Sequence, residues 1–142
     1  MWIAVWPSIC VAACCLAGCG PKLGANRVAV SGTVTYQGAP VAGADVAFQP
    51  VAGSAGNTTQ TRTDEDGRFR MFSRTEDGEF AEGLTAGEYT ITVRKFDRKQ
   101  LTSTQVPPQD LLPVKYGNQE TSGLRERVEV GPPVELTIDL QD

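Results

Sequence analysis

The chain of 142 residues contains no histidine. Ser-His-Asp and Cys-His catalysis, His-ligated zinc and a histidine pH switch are excluded at the outset. Cysteine is nearly as scarce: all four, Cys10, Cys14, Cys15 and Cys19, stand within the first nineteen residues. Beyond Cys19 there is accordingly no disulfide, thiolate metal site or thiol nucleophile. Tryptophan is confined to Trp2 and Trp6, and no charged side chain precedes Lys22. A strong charge of either sign is lacking too, since 13 basic and 17 acidic residues leave a net charge of −4. Nothing in that overall balance suggests a polyanion-binding protein, and no nucleic-acid partner is expected. No window keeps apolar residues at spacings of three and four, so helix is expected to amount to a turn or two. With 40% hydrophobic and 21% charged residues, the length allows one small globular core.

The segment from 2 to 17 is apolar apart from Pro7 and Ser8, about the length of a secretory h-region. It ends in Leu16-Ala17-Gly18-Cys19, which resembles a bacterial lipobox. Small Ala17 and Gly18 let the backbone enter a peptidase cleft, and the Cys19 thiol is the nucleophile that accepts diacylglycerol. Residues 1–18 are then expected to be a lipoprotein signal peptide, with Cys19 the lipidation site. Residues 19–26, rich in Gly, Ala and Pro, form a flexible tether reaching at most ~25 Å. Two acyl chains or more, palmitate among them, would hold the protein on a membrane, because one chain alone is marginal. The expected location is the cell envelope, facing the periplasm or the cell surface. Two alternatives stand beside this one: an uncleaved membrane helix, and a looser lipobox at Val11-Ala12-Ala13-Cys14 that would leave a very short h-region. The n-region departs from the usual signal peptide in carrying no Lys or Arg.

From 27 to 142 the pattern is one of short strands. Val28, Val30, Gly32, Val34 and Tyr36 alternate with polar or small residues, a period of two that predicts a half-buried strand. Val46 with Phe48, Phe69 with Met71, and Tyr89 with Ile91 and Val93 repeat the pattern. So do Val128 with Val130 and the set Val134, Leu136, Ile138 and Leu140. The polar, β-branched segment 58–63 suits an edge strand. Residues 73–83 read as a polar loop. Residues 101–123 read as a long connection with Pro107, Pro108 and Pro113, either covering a sheet edge or binding a partner. About seven strands punctuated by Gly and Pro predict an all-β, antiparallel sandwich. Gly32 is expected at a bulge and Gly38 in a tight turn.

Four stretches carry a family likeness: Ser31-Gly32-Thr33-Val34; Gly38-Ala39-Pro40-Val41-Ala42-Gly43-Ala44-Asp45-Val46; Thr63-Asp64-Glu65-Asp66-Gly67-Arg68-Phe69; and Ala86-Gly87-Glu88-Tyr89-Thr90-Ile91-Thr92-Val93. Together they resemble the carboxypeptidase regulatory-like domain family. The tail, from Pro113-Val114-Lys115-Tyr116 through Ser122-Gly123-Leu124 to Ile138-Asp139-Leu140, is similar to its small bacterial lipoprotein branch of planctomycete type. The resemblance implies a transthyretin-like (prealbumin-like) Greek-key sandwich over 27–142, an accessory or adhesive module with no catalysis of its own and no cofactor. The histidine-dependent hydrolase activity of transthyretin-like relatives does not carry over to a chain without histidine. Tyr89, after a Gly-Glu turn, is expected to bury its ring while its hydroxyl bonds loop backbone, in the manner of a tyrosine corner.

Site candidates are few. Asp64 and Asp66 are weak metal candidates, since a calcium ion wants several carboxylate and carbonyl oxygens and the ligand ladder of an EF-hand is missing; a hairpin turn is the plainer expectation. Arg94, Lys95, Arg98 and Lys99 form a basic cluster beside the proline-rich connection. With Leu111, Leu112 and Tyr116 as apolar anchors they make a candidate docking surface for an envelope protein or an anionic glycan. Residues 64–82 carry seven acidic and three basic side chains, whereas 94–99 carry four basic and one acidic. Unless the two segments meet in the fold, each should steer a partner of opposite charge. The expected function is that of a non-catalytic, lipid-anchored binding or envelope-structural module. The alternative is a carbohydrate-binding accessory domain, for which Tyr36, Phe80, Phe96 or Tyr116 would have to supply the aromatic platform.

Overall fold

Alternation of apolar and polar side chains becomes alternation of inside and outside in several strands of the computed structural model, which describes residues 26–97 and 107–142. Among these, the chain forms β1 (Arg27–Val28), β2 (Val30–Tyr36), β3 (Ala39–Pro40), β4 (Asp45–Pro50), β5 (Thr59–Arg62) and β6 (Arg68–Arg70). There follow β7 (Phe72–Arg74), β8 (Phe80–Glu82), β9 (Leu84–Thr85), β10 (Gly87–Arg94), the single 3-10 turn η1 (Val114–Gly117), β11 (Leu124–Val128) and β12 (Val134–Leu140). One sheet runs β11-β10-β4-β5 and is antiparallel throughout. The other places β2 between β12 on one side and the short strands β3 and β6 on the other. The protein is an all-β sandwich, with Val30, Val34, Val46, Phe48, Phe69, Met71, Tyr89, Val93 and Leu140 buried between its layers.

Four features differ from the sequence-based expectation. First, β12 pairs with β2 in parallel, from Val134↔Val30 to Leu140↔Tyr36, so the sandwich is not purely antiparallel. Second, residues 73–83 include an antiparallel hairpin of β7 and β8, held at its base by Arg27. One guanidinium nitrogen of Arg27 donates to the carbonyls of Ala81 at 2.7 Å and Gly83 at 3.0 Å, with Ser73 and Glu82 at 3.3 Å. Third, Val130 is exposed, because β11 ends at Val128 and the apolar alternation does not continue through the Gly-Pro-Pro turn. Fourth, Gly32 sits in unbroken register, opposite Phe69 on one side and Leu136 on the other, so it is not a bulge.

The turn chemistry is as expected at Gly38. Gln37 and Gly38 both have positive φ, 50° and 80°, and link Tyr36 to Ala39 as a two-residue hairpin turn whose twist matches that of its strands. The segment 58–63 does lie on a sheet edge, as β5.

Tyr89 behaves as a tyrosine corner. Its ring is buried and its hydroxyl donates to the Thr85 carbonyl at 2.7 Å. Tyr89→Phe is expected to lower stability by about 1 kcal/mol at neutral pH, the net worth of one such hydrogen bond. Burial raises the Tyr89 pKa above 10, against an opposing pull from the Arg27 charge. Above the unfolded value near 10 the native state keeps a proton that the unfolded chain releases, so stability falls as pH rises towards the folded value. Melting temperatures from about pH 9 to 11 should show a smaller fall in the Phe variant than in the parent; equal slopes would assign the alkaline loss to other groups.

Candidate functional site

The acidic turn after Thr63 is built by its own first carboxylate. Asp64 Oδ1 accepts from the backbone N–H groups of Asp66 and Arg68, both at 2.9 Å, and its main chain pairs with Arg68 and Gly67. This is the local bonding that makes Asp a turn former. One of the two Asp64 carboxylate oxygens is thus engaged with backbone, and no group of three or more acidic, Cys or His side chains comes together among the described residues. Thr63 completes the turn, its buried hydroxyl bridging the Val41 carbonyl and the Ala44 N–H.

The basic cluster is reached by the end of β10. Arg94 faces Asp110 at 3.7 Å, its guanidinium 5.6 Å from the centre of the Phe96 ring. The Asp110 carboxylate also accepts from the N–H groups of Lys95 and Leu112. Arg98 and Lys99 lie outside the described residues, as does Cys19. Beyond Ile91, β10 has no β11 residue opposite it, and the returning chain takes that place. Leu111 donates to the Lys95 carbonyl, Asp97 to that of Gln109, and Phe96 bridges Asp110. The returning segment of the proline-rich connection thus covers a sheet edge.

That role corrects the docking set. Leu112 and Tyr116 point into the core, and the Tyr116 hydroxyl both donates to the Gln141 carbonyl and accepts from the Gln141 N–H, each at 2.9 Å. Neither offers apolar surface to a partner; Leu111, half exposed, does. The two charged segments also meet: Asp64 and Glu65 line one cleft of about 520 Å³ with Lys95, Phe96 and Leu111. Their fields therefore oppose each other there, where independent steering required separation.

The aromatic candidates separate as clearly. Tyr116 is buried, Tyr36 hydrogen-bonds Asp142 through its hydroxyl, and Phe96 lies beneath Arg94. Phe80 is 72% exposed and carries the Arg74 guanidinium 5.3 Å from its ring centre. Phe72, absent from the sequence-based candidates, is 46% exposed.

A cleft of about 680 Å³ lies where β5 and β6 form neighbouring edges of the two sheets. Arg62, Arg68, Arg70, Ser31, Phe72 and Glu135 are among its lining. Arg62 is held by Asp45 at 2.7 Å, whereas Arg68 and Arg70 have no carboxylate within ion-pair distance among the described residues. Sequence reading missed this group. The signal was the same alternation that marked the core, because Phe69, Met71 and Ser73 turn inward and so leave Arg68, Arg70, Phe72 and Arg74 outward.

A family model described as a domain of unknown function, DUF6795, matches residues 30–106. No curated protein matches. Among solved structures, a 9R-lipoxygenase from Cyanothece PCC8801 is similar at 14% identity and a TM-score of 0.33, over 82% of this chain and 16% of that one. The chain thus spans about a sixth of that protein's length.

Proposed function

Because the chain belongs to the DUF6795 family, whose description assigns no activity, we propose a function from its own residues: a non-catalytic, lipid-anchored β-sandwich of the bacterial envelope, serving as a binding or envelope-structural module. The observation that carries it is Leu16-Ala17-Gly18-Cys19 closing an uncharged apolar segment. In support, the first strand among the described residues starts at Arg27, and the sequence between it and Cys19 is short and contains Gly and Ala. The likeness to carboxypeptidase regulatory-like lipoproteins belongs to the same proposal and supports an accessory role. No helix among the described residues is long and apolar enough to cross a membrane.

Intact-mass measurement of the protein extracted from membranes tests it. Loss of residues 1–18 together with added acyl mass on Cys19 is expected. A form retaining Met1, or one acylated at Cys14, would overturn the assignment.

A second function, carbohydrate binding, is favoured by one observation. Phe72 and Phe80 remain exposed on a short hairpin, with the Arg74 guanidinium against the Phe80 ring and Arg68 and Arg70 nearby in sequence, and exposed aromatic rings flanked by polar donors are what sugar recognition uses.

A further inference from the structure

The β5/β6 cleft is walled by opposite charges. Register across β6, β2 and β12 places Arg70 opposite Ser31, and Ser31 opposite Glu135. The next row on the same face is Arg68, Thr33 and Thr137. Arg70 and Glu135 therefore stand on strands either side of β2, about 10 Å apart at the backbone by sheet spacing. Between them Ser31 and Thr33 put hydroxyls on the floor. Arg68 and Arg70 follow each other at about 6.7 Å along one face of β6. Phe72 continues that line and offers a half-exposed ring.

Each part asks for something different of a ligand. Two guanidinium groups without carboxylate partners are forks for a planar anion, and a carboxylate takes such a fork through two parallel hydrogen bonds. Glu135, across the slot, accepts only, so it repels a bare anion and rewards a group that donates. The serine and threonine hydroxyls both donate and accept. Phe72 supplies a flat apolar surface. A ligand that bears a carboxylate, several hydroxyl donors and an apolar ring face satisfies all of these together. Polyphosphate and DNA lack the repeated hydroxyl donors, so nothing offsets their repulsion by Glu135 and Asp64. An apolar peptide side chain finds no deep hydrophobic pocket, because the cleft is shallow and mostly polar along its strands.

We infer that the β5/β6 cleft is a binding site for a uronic-acid-bearing oligosaccharide, with Arg68 and Arg70 taking the carboxylates, Ser31, Thr33 and Glu135 the hydroxyls, and Phe72 the sugar face. The inference rests on the carbohydrate-binding reading and deepens it by fixing where and on which sugars it acts.

Titration calorimetry of the full-length protein, purified from membranes in neutral detergent, tests it with a galacturonic acid hexamer as probe. Binding is expected, with affinity falling about tenfold or more in Arg68→Gln/Arg70→Gln, as befits loss of two charge-assisted contacts. Phe72→Ala should weaken it and Arg125→Gln/Arg127→Gln, on the far edge at β11, should leave it unchanged. Glu135→Gln should reduce affinity for the hexamer, whereas a site selecting charge alone would bind it more tightly. Equal affinity in the Arg68/Arg70 variant would overturn this site while leaving carbohydrate binding standing. Absence of binding to the hexamer, with binding to neutral maltohexaose, would overturn the acidic-sugar class. No binding to either glycan would remove the carbohydrate reading altogether. Arginine-dependent binding to phosphatidylglycerol vesicles as strong as that to the hexamer would overturn the assignment in favour of a lipid surface.

Discussion

Phe48→Ala should lower the unfolding free energy by about 3–5 kcal/mol, the range for removing a fully buried aromatic ring together with the cavity it leaves. Phe48 is completely buried in β4. Its ring meets that of Phe69 at 6.3 Å and that of Tyr89 at 6.0 Å, the latter edge-on. Phe69 belongs to the opposite sheet, so the trio is where the two layers are joined. Collapse to refill the space would have to move β6 or β10, each fixed by its own ladder to β2 or to β4 and β11. A domain of this size has a total stability on the order of 5–15 kcal/mol, so the loss takes a large share of it. Urea unfolding followed by far-ultraviolet circular dichroism measures the change, and Gln60→Ala on the exposed face of β5 serves as the control. A loss below about 1 kcal/mol for Phe48→Ala would mean that the layers are not joined through this ring.

Gly32→Ala should cost about 2–3 kcal/mol, large for the addition of one methyl group. A Cβ at that position would lie 2.5 Å from the Leu136 carbonyl oxygen and 2.7 Å from Cζ of Phe69. Neither neighbour yields cheaply: the carbonyl belongs to β12, paired in register with β2, and the ring is packed against Phe48. The backbone conformation of Gly32 is ordinary, so the penalty comes from space and not from φ. A double-mutant cycle separates the two contacts. In a Phe69→Leu background the ring contact is gone and the Leu136 contact remains, so the cost of Gly32→Ala should shrink without vanishing. An unchanged cost would place the whole conflict on β12; a cost near zero in the parent would show that β2 and β12 slide apart freely.

The comparison of these two positions shows what a linear pattern contains. Phe48 was legible as core because apolar alternation with Val46 is a local property of the strand, written in residues two apart. Gly32 was legible as special, but the reason assigned to it was wrong. A bulge is a feature of one strand, whereas the observed need for glycine arises from Phe69 and Leu136, which approach from β6 and β12. The same division separates the candidate sites. The acidic turn at Asp64 was readable because an Asp side chain bonds backbone within a few residues. The docking set built on Leu112 and Tyr116 was not, because whether an apolar residue in a long connection faces a partner or its own core depends on what that connection crosses. Thr90 and Thr92, which alternation with Tyr89, Ile91 and Val93 sets on the other face of β10, are nonetheless buried, and nothing in the strand's own residues marks that.

By itself the sequence determined the composition limits on chemistry, the lipobox-like N-terminal segment, the period-two strands and the Gln37–Gly38 turn, and with them an all-β sandwich. All of these depend on residues close together in the chain, where sterics and side-chain alternation act directly. Only the tertiary structure decided that β12 lies parallel to β2, that Arg27 clamps the β7–β8 hairpin, and that Arg68, Arg70 and Glu135 share one cleft. Those arrangements are set by which strands become neighbours, and that choice minimises exposed apolar surface and unpaired backbone over the whole chain at once.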